Sequence, residues 1–421
     1  MSQFPAATAA LKAAVPISTV DPVQAQASVS RPRIDSIDLL RGLVMAIMAL
    51  DHVRDYFHNQ SQLFAPEDLA RTDGVLFFTR WITHFCAPAF IFLAGTAAYL
   101  YARRGRSTAE VSRFLWTRGL WLVLLELTVV ASFGWNFGVN LNTRGLAVIW
   151  ALGWSMVALA ALIYVPWRVL LTASVAMIVL HNTIDGVRPE QFGSLHWLWR
   201  VLHVRSVLLP SSDLGLMVSY PLIPWIGVMA AGFCFGRILD VDAVERRRTL
   251  VRLGCVLTAA FVLLRWSNLY GDPNPWSIQA TPVLTVASFL NCWKYPPSLL
   301  YLLMTLGPTM LVLAWLDGVR VAPWNPFVVF GRVPLFYYLL HLPVLHGVAL
   351  VFAQVRYGQM GFLLEMPASL RGPRPDFPPD YGYDLWIVYL VWIGIVLALY
   401  PLCRWYAGVK QRSRSRVLSY L

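Results

Sequence analysis

Two aspartates, an arginine and two histidines stand at the end of an apolar segment. The stretch DHVRDYFH, from Asp51 to His58, follows nine residues without a formal charge, GLVMAIMAL. On a helix, His52 and Asp55 share a face at a spacing of three, as do Asp51 and Asp55 at four. A carboxylate beside an imidazole can orient the ring and raise its basicity, which suits a general base. The alternative is an interfacial ion-pair ladder of Asp51, Arg54 and Asp55 that ends the helix.

Three further histidines lie in apolar segments. His84 lies in FFTRWITHFCAPAFIFLAGTAAYLY, where a lone histidine could also be only an interhelical hydrogen bonder. His341 and His346 lie in NPFVVFGRVPLFYYLLHLPVLHGVAL, where Tyr337 and His341 share a helical face at a spacing of four. Ionisable groups in hydrocarbon are costly and usually face protein or water. These histidines are therefore candidates for the same site as His52.

The composition predicts the elements that would position these side chains. The chain has 421 residues and is 57% hydrophobic but only 13% charged, whereas a soluble protein has about 25% charged residues. Runs without Asp, Glu, Lys or Arg approach the roughly 20 residues of a membrane-spanning helix. They are residues 85–102, 145–167, 214–236, 295–316, 333–355 and 385–403. The predicted fold is all-α, a polytopic integral membrane protein with about ten (10–11) transmembrane helices.

The loop charges predict the orientation of these helices. The predicted spans lie near residues 37–57, 77–101, 114–134, 145–165, 168–185, 216–237, 250–269, 296–316, 326–353 and 384–404. Lys and Arg concentrate on the cytoplasmic side of membrane proteins. With ten spans, four basic segments share one face: Arg31 with Arg33, and residues 101–114, 236–252 and 404–416. We therefore expect a multi-pass protein of the plasma (inner) membrane with both termini cytoplasmic. His52, His84 and His341 then lie in the outer half of the membrane.

The remaining composition predicts the domain organisation and excludes some classes of site. Residues 1–33 lack a long apolar core and are expected to form a flexible cytoplasmic tail. Residues 34–405 form the predicted transmembrane domain, and residues 406–421 a basic cytoplasmic tail. The net charge of +12 is explained by arginines in loops rather than by nucleic-acid binding. The five cysteines form no C-x-x-C pair, so neither a disulfide framework nor a metal site is expected.

Two isolated charges lie within apolar runs, and each needs a partner on another segment. They are Glu126 in GLWLVLLELTVVASFG and Arg265 in VLLRWSN. Histidines and carboxylates lie in one half of the membrane, and arginines flank the other half. This arrangement suits a phosphate-bearing donor that binds on the inner side and an acceptor that binds on the outer side. The same composition equally suits a proton-coupled transporter, with His52, Glu126 and His341 as the proton path.

The order of several motifs resembles one family of membrane enzymes. RPRIDSIDLLRGLVMAIMALDHVRDYF, followed by FFTRWITHFCAPAFIFLAGTAAYLYARR, resembles the heparan-α-glucosaminide N-acetyltransferase family and looks closest to its bacterial branch. Further similarity lies in VIWALGWSMVALAALI, YPLIPWIGVMAAGFCFGRIL and GRVPLFYYLLHLPVLH. The resemblance covers roughly residues 33–405, in order along the chain.

This resemblance implies a multi-span enzyme that takes acetyl-CoA from the cytoplasmic side. It implies transfer of the acetyl group to an amino sugar on the far side, with an essential histidine near the far-side mouth. The family's polar residue after the first apolar run, an asparagine in lysosomal members, falls at Asp51. The family's aspartate ahead of the P-x-F segment falls at His84. The essential histidine precedes a W-N-G stretch that this chain lacks, and His58, in HNQSQLFAPEDLARTDG, is the nearest histidine.

The leading hypothesis is therefore an integral-membrane acyltransferase. It would move an acetyl or other acyl group from cytoplasmic acyl-CoA to a glycan amine or hydroxyl at the outer face. Such chemistry needs a base for the acceptor's proton and groups that stabilise an oxyanion. His52 or His84 is the predicted base, with Asp51 or Asp55 as its orienting carboxylate. The predicted catalytic set is His52, His84, Asp51, Asp55, His58 and His341.

The predicted donor site lies near the cytoplasmic mouth. Arg41 and Arg332 are candidates for the phosphates of acyl-CoA, and positive-inside anchoring is their other interpretation. The predicted partners are acetyl-CoA or another acyl-CoA, a glycan or amino-sugar acceptor, and the lipid bilayer, with a homodimer as a candidate assembly. Two other classes stay open: a proton-coupled transporter of a small molecule or lipid-linked sugar, and a scaffold subunit of an envelope glycan complex. Acyl transfer or thioester cleavage would separate the first class from both.

Overall fold

Helices make up most of the chain that the computed structural model describes, which is residues 35–137, 143–208, 215–364 and 377–413. The helices are α1 (Asp35–Phe57), α2 (Gly74–Thr83), α3 (Cys86–Ala102), α4 (Thr108–Leu125), α5 (Val148–Leu162), α6 (Trp167–Leu180), α7 (His196–His203), α8 (Leu222–Phe235), α9 (Ala243–Ser267), α10 (Pro282–Leu290), α11 (Leu299–Leu316), α12 (Pro326–Arg332), α13 (Pro334–Tyr357) and α14 (Leu385–Arg412). The strands are β1 (Thr143–Leu146), β2 (Ser206–Leu208) and β3 (Gly215–Val218). The predicted tail at 1–33, and residues 414–421 of the predicted C-terminal tail, lie outside the described residues.

The membrane character of the fold rests on the length and composition of these helices. Within the described residues, eight helical segments are long and apolar enough to cross a membrane. They are Gly74–Ala102, Thr108–Trp135, Trp167–Ile184, Leu222–Asp240, Ala243–Ser267, Leu299–Leu316, Pro334–Tyr357 and Leu385–Arg412. Helices α1 and α5 occupy the other two predicted spans; α1 carries charged residues, and α5 has only 15 residues. The predicted all-α polytopic membrane fold is confirmed.

Two predicted spans are interrupted rather than continuous. The span near 326–353 is divided between α12 and α13 at Val333, whose φ of −130° and ψ of 49° are not helical. Pro334 explains this break, because proline disfavours helical backbone in the residue before it. The span near 77–101 is divided between α2 and α3 at His84 and Phe85. Pro88 lies in the first turn of α3, where the missing N–H of proline is tolerated.

A π-helical segment, Glu126–Trp135, extends α4 and packs against α13. Its wider turn is rare and is frequently found at functional sites. The segment ends at Trp135 and thereby brings an indole against His52 of α1, next to α13.

Contacts between helix ends define two ends of the bundle. At the first, which we call the arginine end, Arg103 lies 2.5 Å from Asp240, and Arg246 lies 2.9 Å from Asp317. At the second, the loop end, lie residues 58–73, 181–206, 268–298 and 358–383, in so far as they are described. The loop end also carries the small sheet, in which β3 pairs parallel with β1 and antiparallel with β2. These strands were not predicted, because runs of only three or four residues are too short to show an alternating pattern.

Four helix pairs cross at reciprocal glycines. The pairs are Gly42 with Gly331 (α1 and α12), Gly95 with Gly232 (α3 and α8), Gly119 with Gly153 (α4 and α5) and Gly254 with Gly307 (α9 and α11). A Cβ on Gly42 would lie 1.7 Å from the carbonyl oxygen of Phe327, and one on Gly331 would lie 1.8 Å from that of Asp38. Small residues let membrane helices approach backbone to backbone. Glycine is therefore a steric requirement at these crossings.

Candidate active site

Two histidines that the sequence singled out meet between α1 and α13. His52 Nδ1 lies 2.7 Å from His341 Nε2, and the two rings are stacked with centroids 5.0 Å apart. His341 is fully buried, and its Nδ1 lies 2.6 Å from the carbonyl oxygen of Tyr338. We call His52 and His341 the histidine pair. The histidine pair links α1 to α13, and its two residues are 289 positions apart in the chain.

The hydrogen bonds of the histidine pair determine where its protons lie. The Tyr338 carbonyl can only accept a hydrogen bond, so His341 Nδ1 carries a hydrogen. In a neutral His341, Nε2 is then an acceptor and must receive the hydrogen of His52 Nδ1. This leaves the lone pair of His52 on Nε2, to which none of the described residues hydrogen-bonds. A ring held in this tautomer, with a free basic nitrogen, has the geometry of a general base.

Aromatic side chains form the wall around the histidine pair. The Trp135 indole packs edge-on against His52, with ring centroids 5.0 Å apart. Tyr56 donates a hydrogen bond of 3.0 Å to the Trp135 carbonyl and contacts the His346 ring at 4.8 Å. His346 itself lies between the carbonyls of Gly134 and Leu363, at 3.2 and 2.7 Å. His346 therefore ties the π-helical segment to α13 and is not brought into the pair.

The carboxylates beside His52 face arginines instead of the imidazole. Asp51 forms ion pairs with Arg80 and, at 2.9 Å, with Arg54. Asp55 lies 2.6 Å from Arg54. Successive residues of a helix point about 100° apart, so Asp51 faces α2 while His52 faces α13. The partner that orients His52 in the structure is His341, and the predicted ion-pair ladder forms alongside it.

His84 joins a second polar cluster at the break between α2 and α3. Its Nε2 lies 3.6 Å from the Glu67 carboxylate, which also accepts a hydrogen bond of 2.8 Å from Arg80. Within the described residues, neither ring nitrogen of His84 has a hydrogen-bond partner, although the ring is buried. The His84 carbonyl accepts a hydrogen bond of 2.7 Å from Tyr301. In a regular helix, the His84 carbonyl would accept a hydrogen bond from the backbone N–H four residues later. That residue is Pro88, which has no N–H, so the carbonyl is free to accept from Tyr301.

His58 lies beyond the end of α1 and is not brought to the histidine pair. It forms a β-bridge with Tyr383, and its Nδ1 accepts a hydrogen bond of 3.4 Å from the Gln60 amide. Burial lowers the pKa of His58 to about 4. The ring is therefore uncharged at neutral pH, and its contacts tie the first loop to the segment before α14.

A sequence match identifies the family. Residues 33–267 match the family described as heparan-alpha-glucosaminide N-acetyltransferase, catalytic. The chain belongs to this family. The match spans more than half of the chain and includes His52, His58 and His84, whereas His341 lies beyond it. No curated protein matches the chain.

In this member of the heparan-α-glucosaminide N-acetyltransferase family, Arg41 and Arg332 lie together at the arginine end. Arg41 donates a hydrogen bond of 3.2 Å to the Gly331 carbonyl and lies 3.5 Å from Asp38. Arg332 donates one of 3.3 Å to the Pro323 carbonyl. The structure thus brings both predicted donor-binding arginines to the α1–α12 crossing, and it also gives them structural contacts there.

The two isolated charges of this acetyltransferase-family chain find partners on other segments. The Glu126 carboxylate faces the backbone amides of Ala147, Ile149 and Trp150 at the start of α5. A helix N-terminus is a suitable site for an anion. Arg265 donates to four backbone carbonyls, those of Phe289, Asn274, Ser288 and Asn291, at 2.8 to 3.0 Å. Both charges therefore hold neighbouring segments in place.

Sequence reasoning missed several residues of the site. Trp135 and the Tyr338 carbonyl have no sequence signature that points to the histidine pair. Arg80 was visible as a charge one turn before His84 in FFTRWITH.

Proposed function

We propose that the protein is a membrane acyltransferase that moves an acetyl or other acyl group from cytoplasmic acyl-CoA to a glycan amine or hydroxyl at the outer face. The observation that carries the proposal is the hydrogen-bonded histidine pair, in a chain that belongs to an N-acetyltransferase family. The pair presents a basic nitrogen without requiring a carboxylate partner. His341 is fully buried and the Trp135 ring packs against His52, which limits the access of water that would otherwise compete with the acceptor.

The proposed reaction is a direct transfer in which His52 is the base. His52 Nε2 takes a proton from the acceptor as its nitrogen or oxygen attacks the thioester carbonyl. The new C–N or C–O bond forms, the C–S bond breaks, and the CoA thiolate receives the proton from His52. His341 is a positioning residue, because it holds the reactive tautomer of His52 and accepts the hydrogen bond that stabilises the imidazolium. The products are the acylated acceptor and free CoA.

The donor is proposed to enter from the arginine end. Arg41 and Arg332 would contact the CoA phosphates, for which a guanidinium is well suited. The acyl thioester would then extend along α1 toward His52. Eleven residues separate Arg41 from His52 along this helix, or about 16 Å at helical rise, which the pantetheine arm of CoA must bridge.

The function is tested with the purified protein in detergent. Titration with acetyl-CoA should raise the temperature of unfolding, because a ligand that binds only the folded state stabilises it by mass action. Addition of an amino sugar should then release free CoA, measured by thiol detection, and yield the N-acetyl product, measured by mass spectrometry. Without protein, or with acetyl phosphate as donor, no product is expected. The transporter would become the better hypothesis if neither acetyl-CoA nor any longer acyl-CoA bound or reacted.

The orientation is tested by cysteine labelling in intact cells. Cys255 is the one exposed cysteine among the described residues, so Cys255→Ser supplies the background. Ala70 and Thr108 are exposed at opposite ends of the bundle. With both termini cytoplasmic, Ala70→Cys should react with an impermeant maleimide and Thr108→Cys should react only after permeabilisation. The reverse pattern would contradict the proposed orientation and place the donor and the acceptor on the wrong sides.

A further inference from the structure

A buried lysine near the histidine pair has no anionic partner among the described residues. Lys294 lies between α10 and α11 at the loop end, and its exposed fraction is 9%. Its described side-chain contact is with the Tyr295 ring, whose centroid lies 5.3 Å from Nζ. A buried ammonium that forms no direct ion pair recovers only part of its desolvation cost. Such a group is expected where a ligand supplies the missing negative charge.

The segment that carries Lys294 is held in place by hydrogen bonds. The Asp272 carboxylate accepts 2.8 and 2.6 Å hydrogen bonds from the Trp293 amide and the Ser298 hydroxyl. The Trp293 indole donates a hydrogen bond of 2.8 Å to the Tyr295 carbonyl, on the other side of Lys294. The backbone that carries Lys294 is therefore fixed before any ligand arrives, which lowers the entropic cost of binding.

Lys294 lies among the charged groups of both polar clusters. Its charge interacts with Asp51, His52 and His84, so the ammonium lies within electrostatic range of both polar clusters. The carboxylates in this region already face guanidinium groups, as Asp51 and Glu67 both contact Arg80. Asp51 acts on Lys294 only at longer range, and no described carboxylate oxygen lies within 4.0 Å of the Lys294 ammonium.

The phenol of Tyr295 responds to the cations around it. Burial alone would raise its pKa, but Lys294, Arg80 and Arg205 outweigh that effect and hold the pKa of Tyr295 below its ordinary value. The Arg205 guanidinium lies over the Tyr295 ring at 4.8 Å from the centroid. An incoming oxyanion would thus meet an ammonium, a guanidinium and a polarised hydroxyl in one place.

From this arrangement we infer that Lys294, assisted by Tyr295 and Arg205, binds an oxyanion of the acceptor. The acceptor class is then an amino sugar that carries a carboxylate or a phosphate, and not a neutral one. The inference rests on the proposed function, since it assumes that the acceptor approaches His52 from the loop end. Charge-assisted hydrogen bonds to an ammonium are stronger than neutral ones, and the buried ammonium regains the partner it lacks.

The test compares three acceptors of the same ring: glucosamine, glucosamine 6-phosphate and the corresponding 6-carboxylate. Binding is measured by calorimetry on the purified protein without donor, and transfer is measured separately with acetyl-CoA. The wild type should bind at least one anionic sugar about tenfold or more tightly than glucosamine, as hydrogen bonds to charged groups allow. Lys294→Met should abolish that preference, Lys294→Arg should keep part of it, and the matched control Lys410→Met should leave it unchanged. The relative affinities for glucosamine 6-phosphate and the 6-carboxylate show which oxyanion the site prefers.

The outcomes separate this inference from the proposed function. Equal affinity of the wild type for all three sugars would overturn the inference, even if acetyl transfer occurs. A preference that persists in Lys294→Met would overturn it as well. A preference that Lys294→Met removes, without any transfer from acyl-CoA, would support the anion site and contradict the acyltransferase. If Lys294→Met unfolds, the charge-retaining Lys294→Arg and the variant Tyr295→Phe test the same preference in folded protein.

Discussion

His52→Ala is expected to lower the rate of acyl transfer by roughly 10²- to 10⁴-fold, the usual contribution of a general base. Donor binding and folding should stay close to those of the wild type, because Arg41 lies eleven positions before His52 on α1 and Arg332 lies on α12, at the arginine end. His52→Gln should be equally inactive, since its amide can still donate to His341 Nε2 but cannot accept a proton. Initial rates, together with an acetyl-CoA titration and thermal unfolding of each variant, check these expectations.

Two companion variants distinguish the base from its positioning partner. His341→Gln should retain more activity than His52→Ala and should change the pH profile of the rate, because His52 then loses its fixed tautomer. His196→Ala is the matched control, because His196 is exposed at the loop end and bonds only to the Gly193 carbonyl in the described structure. Full activity of His52→Ala, or equal loss in His196→Ala, would disprove the assignment of His52 as the base.

Gly42→Ala is expected to destabilise the protein by more than about 3 kcal/mol, above the usual cost of overpacking, about 1 to 3 kcal/mol. The added Cβ would lie 1.7 Å from the Phe327 carbonyl oxygen, which belongs to backbone and cannot rotate away. Helices α1 and α12 must then separate. Because α12 leads through Val333 into α13, this movement would also displace His341 from His52. Thermal unfolding in detergent measures the loss of stability, and transfer rates measure the displacement.

A matched control for this substitution exists on α14. Gly394 lies in the interior of that helix, and a Cβ added there would have no described neighbouring atom within 4 Å. Gly394→Ala should therefore leave stability unchanged or raise it by up to about 1 kcal/mol, as alanine favours helix. Gly331→Ala should repeat the effect of Gly42→Ala from the opposite side of the crossing. Equal unfolding temperatures for Gly42→Ala and Gly394→Ala would show that the crossing tolerates a methyl group.

The two polar clusters contact different faces of α1. The face with His52 meets α13 and forms the histidine pair, while the face with Asp51 meets α2 through Arg80. The ion pairs of Arg54 and Arg80 hold the end of α1 against the first loop and α2. This rigid attachment keeps His52 at its hydrogen-bonding distance from His341, and the proposed Lys294 site faces the same clusters from the loop end.

The sequence alone determined the membrane architecture and the main chemical candidates. Long runs without charge can only be buried in lipid or in a helical bundle, so the predicted centres of all ten spans coincide with helices. The break at Val333 follows from the local geometry before Pro334 and could have been read from the sequence. His52, His84 and His341 stood out because an ionisable group in an apolar segment is energetically costly and is usually functional.

Only the tertiary structure decided which of these residues meet. Helical spacing shows that His52 and Asp55 share a face, but the opposing helix determines the partner, and Arg54 takes the carboxylate while His341 takes the imidazole. The glycine crossings and the placement of Trp135 likewise depend on contacts between segments far apart in the chain. Lys294 lies in a short loop held by Asp272 and the neighbouring helices, so no local pattern could have revealed its burial. Local sequence sets periodicity and hydrophobicity, whereas the pairing of buried charges is settled by packing across the bundle.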